Sequence, residues 1–159
     1  MSARPEEPRL EMHCLDRRCG TLLPRDAEIC DECGGTRLGR VGHSDAILLG
    51  DAGDRPVAFG LTSVRPNLLG RASPDLDVDL GHWVGAESVH RHHAQIVANT
   101  SEGTWSVTHL GRNPLVIFGP AGAEPVQPGT TRQLRSGDWL QVGRIRLRFM
   151  VGRRAGTQG

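Results

Sequence analysis

A chain of 159 residues with a formal charge of +1 and 4% aromatic residues, none of them tyrosine, has room for one full hydrophobic core and at most a small appendage. The near-neutral charge argues against a non-specific nucleic-acid binder, whose affinity comes from neutralising phosphates. No run of about 18 apolar residues offers a membrane span, and the N-terminus has no apolar run to serve as a secretory signal. Its 21 glycines and 10 prolines interrupt the chain too often for long helices and predict a turn-rich β protein. All 19 basic residues are arginine, which fits a G+C-rich, bacterial genome, and the expected compartment is the cytoplasm.

The first element is the cysteine segment CLDRRCGTLLPRDAEICDECGG, with Cys14, Cys19, Cys30 and Cys33 spaced C-x4-C-x10-C-x2-C. Thiols stay reduced in the cytoplasm, so four cysteines this close predict metal ligands over redox cysteines or two local disulfides. Both pairs end in Cys-Gly, at Gly20 and Gly34, where a tight knuckle needs left-handed backbone. Four thiolates close a tetrahedron around one structural Zn²⁺, whose binding energy supplies the folding energy that about thirty residues cannot bury for themselves. The segment resembles a zinc ribbon over residues 11–38. Asp16, Asp26, Glu28, Asp31 and Glu32 outnumber Arg17, Arg18 and Arg25, so a structural or protein-binding role is expected over nucleic-acid contact.

Residues 39–44 read as a linker and 152–159 as a flexible tail. Between them, residues 45–151 show short β-like pieces at 46–49, 57–59, 67–70, 78–80, 94–97, 105–107, 115–118, 139–142 and 144–149. The last alternates cleanly, with Ile145, Leu147 and Phe149 on one face and Arg144, Arg146 and Arg148 on the other. Short strands punctuated by Gly, Pro and Asp predict an antiparallel sandwich. Trp83, Trp105 and Trp139 are expected to pack in or against the core.

Three separated pieces of this segment carry a resemblance: Leu68-Leu-Gly70-Arg71, then Val89-His-Arg-His-His93-Ala-Gln-Ile96, then Leu134-Arg-Ser-Gly137-Asp138-Trp-Leu-Gln-Val-Gly143. Their order and spacing are similar to the forkhead-associated (FHA) domain. The resemblance implies an all-β fold, an eleven-stranded sandwich behind the small ribbon, whose loops at one end bind a phosphothreonine peptide. The family's phosphate arginine falls on Arg71, with Gly70 before it as support. Its bracing histidine falls on His93, and its loop asparagine on Asn113, in a loop one residue shorter than the family's.

Three positions before His93, where the family has serine, stands His90. Ser88 lies two residues too early. A neutral imidazole donates one hydrogen bond, as a hydroxyl does, and an imidazolium adds charge. The site then either binds phosphate in a pH-dependent way or has lost phosphothreonine binding. Arg91 places a second cation beside His90.

No acidic residue lies between Glu87 and Glu102 and no His-Glu-x-x-His spacing occurs, so the histidine cluster predicts neither catalytic residues nor a small-molecule substrate. The expected function is a non-enzymatic adaptor that binds a phosphothreonine-containing protein partner in bacterial signalling. The alternatives are a degenerate FHA-like scaffold binding unphosphorylated partners and a nucleic-acid-associated zinc protein.

Overall fold

The computed structural model describes residues 10–152. The tail read at 152–159 therefore lies, beyond Gly152, outside the described residues. Among them no helix is long and apolar enough to cross a membrane.

The cysteine segment forms a three-stranded antiparallel sheet, β2-β1-β3, from β1 (Leu10–Cys14), β2 (Leu22–Pro24) and β3 (Leu38–Arg40). The linker expected at 39–44 needs correction. Gly39 and Arg40 pair with His13 and Met12 in the ribbon sheet, and Val41–His43 form a single 3-10 turn. What joins the two units is therefore ordered backbone, because the strand that completes the ribbon runs almost directly into the sandwich.

Eleven strands follow: β4 (Ala46–Ala52), β5 (Arg55–Leu61), β6 (Asn67–Gly70), β7 (Val78–Asp79), β8 (Ala94–Asn99), β9 (Thr104–His109), β10 (Leu115–Gly119), β11 (Gly122–Pro125), β12 (Thr131–Leu134), β13 (Trp139–Val142) and β14 (Ile145–Val151). They make a sheet β11-β10-β13-β14-β4-β5 packed against a sheet β12-β9-β8-β6-β7. All neighbours are antiparallel except β6 and β7. After Arg71 the chain loops round and runs back alongside β6 for two residues, which departs from the purely antiparallel expectation.

Period-2 alternation builds the core between the sheets. Leu48, Val107, Leu140, Leu147 and Phe149 are fully buried, and Trp105 meets Phe149 edge to face with centroids 5.7 Å apart. Trp83 and Trp105 are buried as expected, whereas Trp139 is 41% exposed. It pairs opposite Arg148, whose guanidinium lies over its ring, because both sit on the outward parity of β13 and β14.

The ribbon closes an exposed edge. β5 ends its sheet, and an edge strand leaves backbone N–H and C=O groups unpaired. Here the Ala58 N–H donates to Gly20 O (2.8 Å), His13 Nδ1 donates to Ala58 O (2.7 Å), and Thr21 bridges Val57. A side chain at residue 20 would stand 2.8 Å from the Phe59 ring, and its φ of +63° is left-handed, so only glycine lets the knuckle sit this close.

Candidate functional site

The site lies where the loops after β6, before β8 and after β9 converge. Gly70 ends β6 against the backbone of the next loop. A Cβ there would lie 1.9 Å from Arg91 O, which explains the glycine before the arginine. The approach lets the Arg71 N–H donate to His90 O (3.2 Å), while Arg71 Nε donates to Val89 O. One edge of the guanidinium is thereby anchored to the neighbouring loop, and its terminal Nη groups keep the planar fork that matches an oxyanion. Arg91 and Arg112 are positioned on the adjoining loops, both exposed, so three guanidinium-bearing positions border this end of the sandwich.

His93 is fully buried and joins all three loops. Its N–H donates to Leu69 O on β6 (2.9 Å), and its C=O accepts from Leu110 N–H (2.9 Å). Nε2 donates to Pro114 O (3.1 Å) and Nδ1 accepts from His90 N–H (3.2 Å), which fixes the neutral tautomer. Burial is the main cause that lowers its pKa from 6.5 to about 4, helped by the facing rings of His109 and His90 and opposed by the Pro114 carbonyl.

The geometry of His90 differs from that of a serine hydroxyl reaching for phosphate. Its Nε2 accepts the Asn113 N–H (3.0 Å), and its ring lies 5.5 Å from that of His93 and against Gly111. The acceptor role puts the ring hydrogen on Nδ1, the one nitrogen left to donate. Ser88 is occupied elsewhere, its hydroxyl donating to Gly85 O and accepting from Arg144 N–H. Asn113 gives one amide hydrogen to Ser88 O (2.8 Å), which leaves its side-chain oxygen and second amide hydrogen for the backbone of an extended ligand.

Sequence reasoning missed His109. It is buried at the end of β9, stacks on His93 at 5.5 Å and 8°, and directs its ring nitrogens at Val126 O (2.7 Å) and Asn113 O (2.8 Å). The signal was present, since Trp105, Val107 and His109 share the inward parity of that strand. The structure also gives His92 a carboxylate that is remote in sequence, Asp75 at 3.0 Å. The Ser73 hydroxyl, followed by His92, lowers the Asp75 pKa.

The four cysteines converge as their spacing predicts. Their sulfurs lie within 4.8 Å of one another, with Cys14 and Cys33 at 3.6 Å and Cys19 and Cys30 at 3.7 Å. A tetrahedron with Zn–S bonds of about 2.3 Å has edges of about 3.8 Å, so the group can hold a metal ion. Gly20 and Gly34 both have positive φ. Burial raises the Cys14 pKa. At Cys19 burial also opposes ionisation, but the Thr21 hydroxyl and N–H and the neighbouring thiols lower its pKa on balance. A bound cation reverses the cost of burying such thiolates.

The FHA domain profile matches residues 67–143. Among solved structures, the N-terminal FHA domain of S. cerevisiae Rad53p, crystallised with a phosphothreonine peptide, is similar with a TM-score of 0.56 at 17% identity, covering 69% of this chain and 94% of that one. An FHA domain from an Arabidopsis thaliana hypothetical protein is similar with a TM-score of 0.53 at 16% identity, covering 68% and 86%. That of the CT664 protein from Chlamydia trachomatis is similar with a TM-score of 0.52 at 19% identity, covering 67% and 97%. No curated protein sequence matches the chain.

Proposed function

We propose that residues 67–143, which match the FHA domain profile, act as a phosphothreonine-binding protein-interaction module, and that this chain is a non-enzymatic adaptor that captures a phosphothreonine-containing protein partner in bacterial cytoplasmic signalling, with Zn²⁺ in its four-cysteine ribbon. The observation that carries the reading is Arg71, held by Val89 O at the mouth of three converging loops. Its guanidinium fork and the exposed Arg91 supply charge-assisted hydrogen bonds to the phosphate. His90 offers Nδ1–H where the family has a hydroxyl, and the Asn113 side-chain oxygen takes a backbone N–H of the extended peptide.

The test is titration of the full chain with phosphothreonine peptides and their unmodified threonine counterparts, using Arg71→Ala as control. The proposal expects binding of the phosphorylated peptides alone. Losing a charged hydrogen-bond partner should weaken it by roughly 10- to 100-fold. Unchanged affinity in Arg71→Ala overturns the phosphate reading.

One observation favours a second reading, a scaffold that binds unphosphorylated partners. One Asn113 amide hydrogen is already engaged within the protein, and the His90 ring is held by the Asn113 N–H, so fewer groups are free to meet a ligand than the family pattern implies. Equal affinity for phosphorylated and unmodified partner decides for it.

A further inference from the structure

The tip of the first cysteine knuckle, Asp16-Arg17-Arg18, lies between Cys14 and Cys19 and rests on the segment that follows Arg71. Asp16 O accepts from Cys19 N–H (3.0 Å) and Gly20 N–H (3.2 Å), and its Oδ1 accepts from Arg18 N–H (2.8 Å), which makes the tip a closed turn. From it, Arg17 O accepts the N–H of Asp79 on β7 (2.9 Å), and the Arg17 guanidinium donates to Pro74 O. The Arg18 guanidinium reaches the Asp79 carboxylate (3.8 Å) and His82.

Asp79 is buried, 3% exposed, and the same carboxylate organises the loop from inside. Its Oδ1 accepts from Ala72 N–H (3.1 Å) and Gly81 N–H (2.9 Å). Ala72 has a φ of 54° and is the one non-glycine residue with positive φ among the described residues. An alanine holds that conformation only when its surroundings impose it. Ala72 directly follows Arg71, so its held backbone fixes the chain immediately beyond the arginine.

We infer that Arg17, Arg18 and Asp79 are positioning residues for Arg71, and that the cysteine knuckle, closed by its metal, is the external buttress of the phosphate loop. The ribbon has no core of its own beyond the cysteines, Leu23 and a few partly buried neighbours. Losing the cluster's cross-link releases the tip, the tip releases Asp79, and residues 71–82 lose the hold that keeps Ala72 left-handed. The inference rests on the phosphopeptide reading for its consequence and on the contacts above for its mechanism.

The experiment is amide hydrogen exchange on the full chain before and after metal removal by a chelator under reducing conditions, and on Arg18→Ala with metal retained. Exchange at Ala72 and Gly81 should rise on the order of tenfold or more in both cases, while amides of β13 and β14 keep their protection. The phosphothreonine peptide should weaken by a similar factor. Unchanged exchange at Ala72 and Gly81 after metal removal overturns the inference whatever the peptide does. If the wild-type chain binds no phosphopeptide, the functional reading fails while the exchange measurement still decides the coupling. If Arg18→Ala also loses protection in β14, Arg17→Ala, which removes the contact to Pro74, takes its place with the same two outcomes.

Discussion

Acidification should destabilise the protein through His93, by an amount that follows from its burial. In the unfolded chain the imidazole takes up a proton near pH 6.5, whereas in the folded site it resists until about 4. Between these values the unfolded state binds more protons, so the stabilising contribution is complete above pH 6.5 and is lost as pH falls towards 4. A difference of two to three pH units, at about 1.4 kcal/mol each, gives a total of about 3 kcal/mol. Of this, about 2 kcal/mol should disappear between pH 7 and pH 4.5.

His13 titrates with the same sign, since burial lowers its pKa despite the Ala58 carbonyl. The measurement is therefore a comparison. Urea unfolding is followed by tryptophan fluorescence at both pH values for the wild type and for His93→Gln, whose amide can donate to Pro114 O and accept from His90 N–H without titrating. The variant should lose about 2 kcal/mol less than the wild type on acidification. Equal losses in the two proteins refute the assignment of His93 as the buried, neutral brace.

Gly70→Ala drives a Cβ into Arg91 O and should cost about 3 kcal/mol or more in chemical denaturation, because backbone offers no side chain to swing aside; a cost below about 1 kcal/mol contradicts the close approach. His90→Ser leaves the Asn113 N–H without its imidazole acceptor and should lower stability by about 1–3 kcal/mol, measured the same way. Elemental analysis of the reduced, purified chain should find one zinc per molecule, and Cys30→Ser, at a fully buried position, should abolish stoichiometric binding and lower the thermal midpoint.

The parts of the fold legible in the sequence are those where one side chain's environment dictates its type. β6 and β13 lie where expected because Leu68 and Leu69 put an apolar residue on each face of β6 and Leu140 and Val142 make the inward face of β13 apolar. The alternation in β14 places Ile145, Leu147 and Phe149 inward. β11 is exposed along its whole length and β12 at all but Leu134. They are strands because neighbours offer hydrogen-bond ladders, and no local pattern carries that information. The same holds at the site. Arg71, His93 and Asn113 announce themselves through motif spacing, but the orientation of His90 depends on Asn113, 23 positions away, and the parity of His109 acquires meaning only when His93 stacks on it. The docking of the ribbon was the least legible feature, since it depends on β5 and β7 ending their sheets, which is a property of topology.

That docking also bears on why the histidines and arginines divide their work. His90, His93 and His109 form one file of neighbouring rings whose nitrogens are directed at loop backbone, at Asn113 N–H, His90 N–H, and the carbonyls of Pro114, Val126 and Asn113. The imidazoles act as spacers that hold the three loops at a fixed separation. Arg71, Arg91 and Arg112 stand outside the file and carry the positive charge. A cationic imidazole at His93 would face His90 N–H with a second donor and break the file. The burial that keeps His93 neutral thus keeps the file intact behind the arginines of the binding surface, with the cysteine knuckle supporting Arg71 from the opposite side.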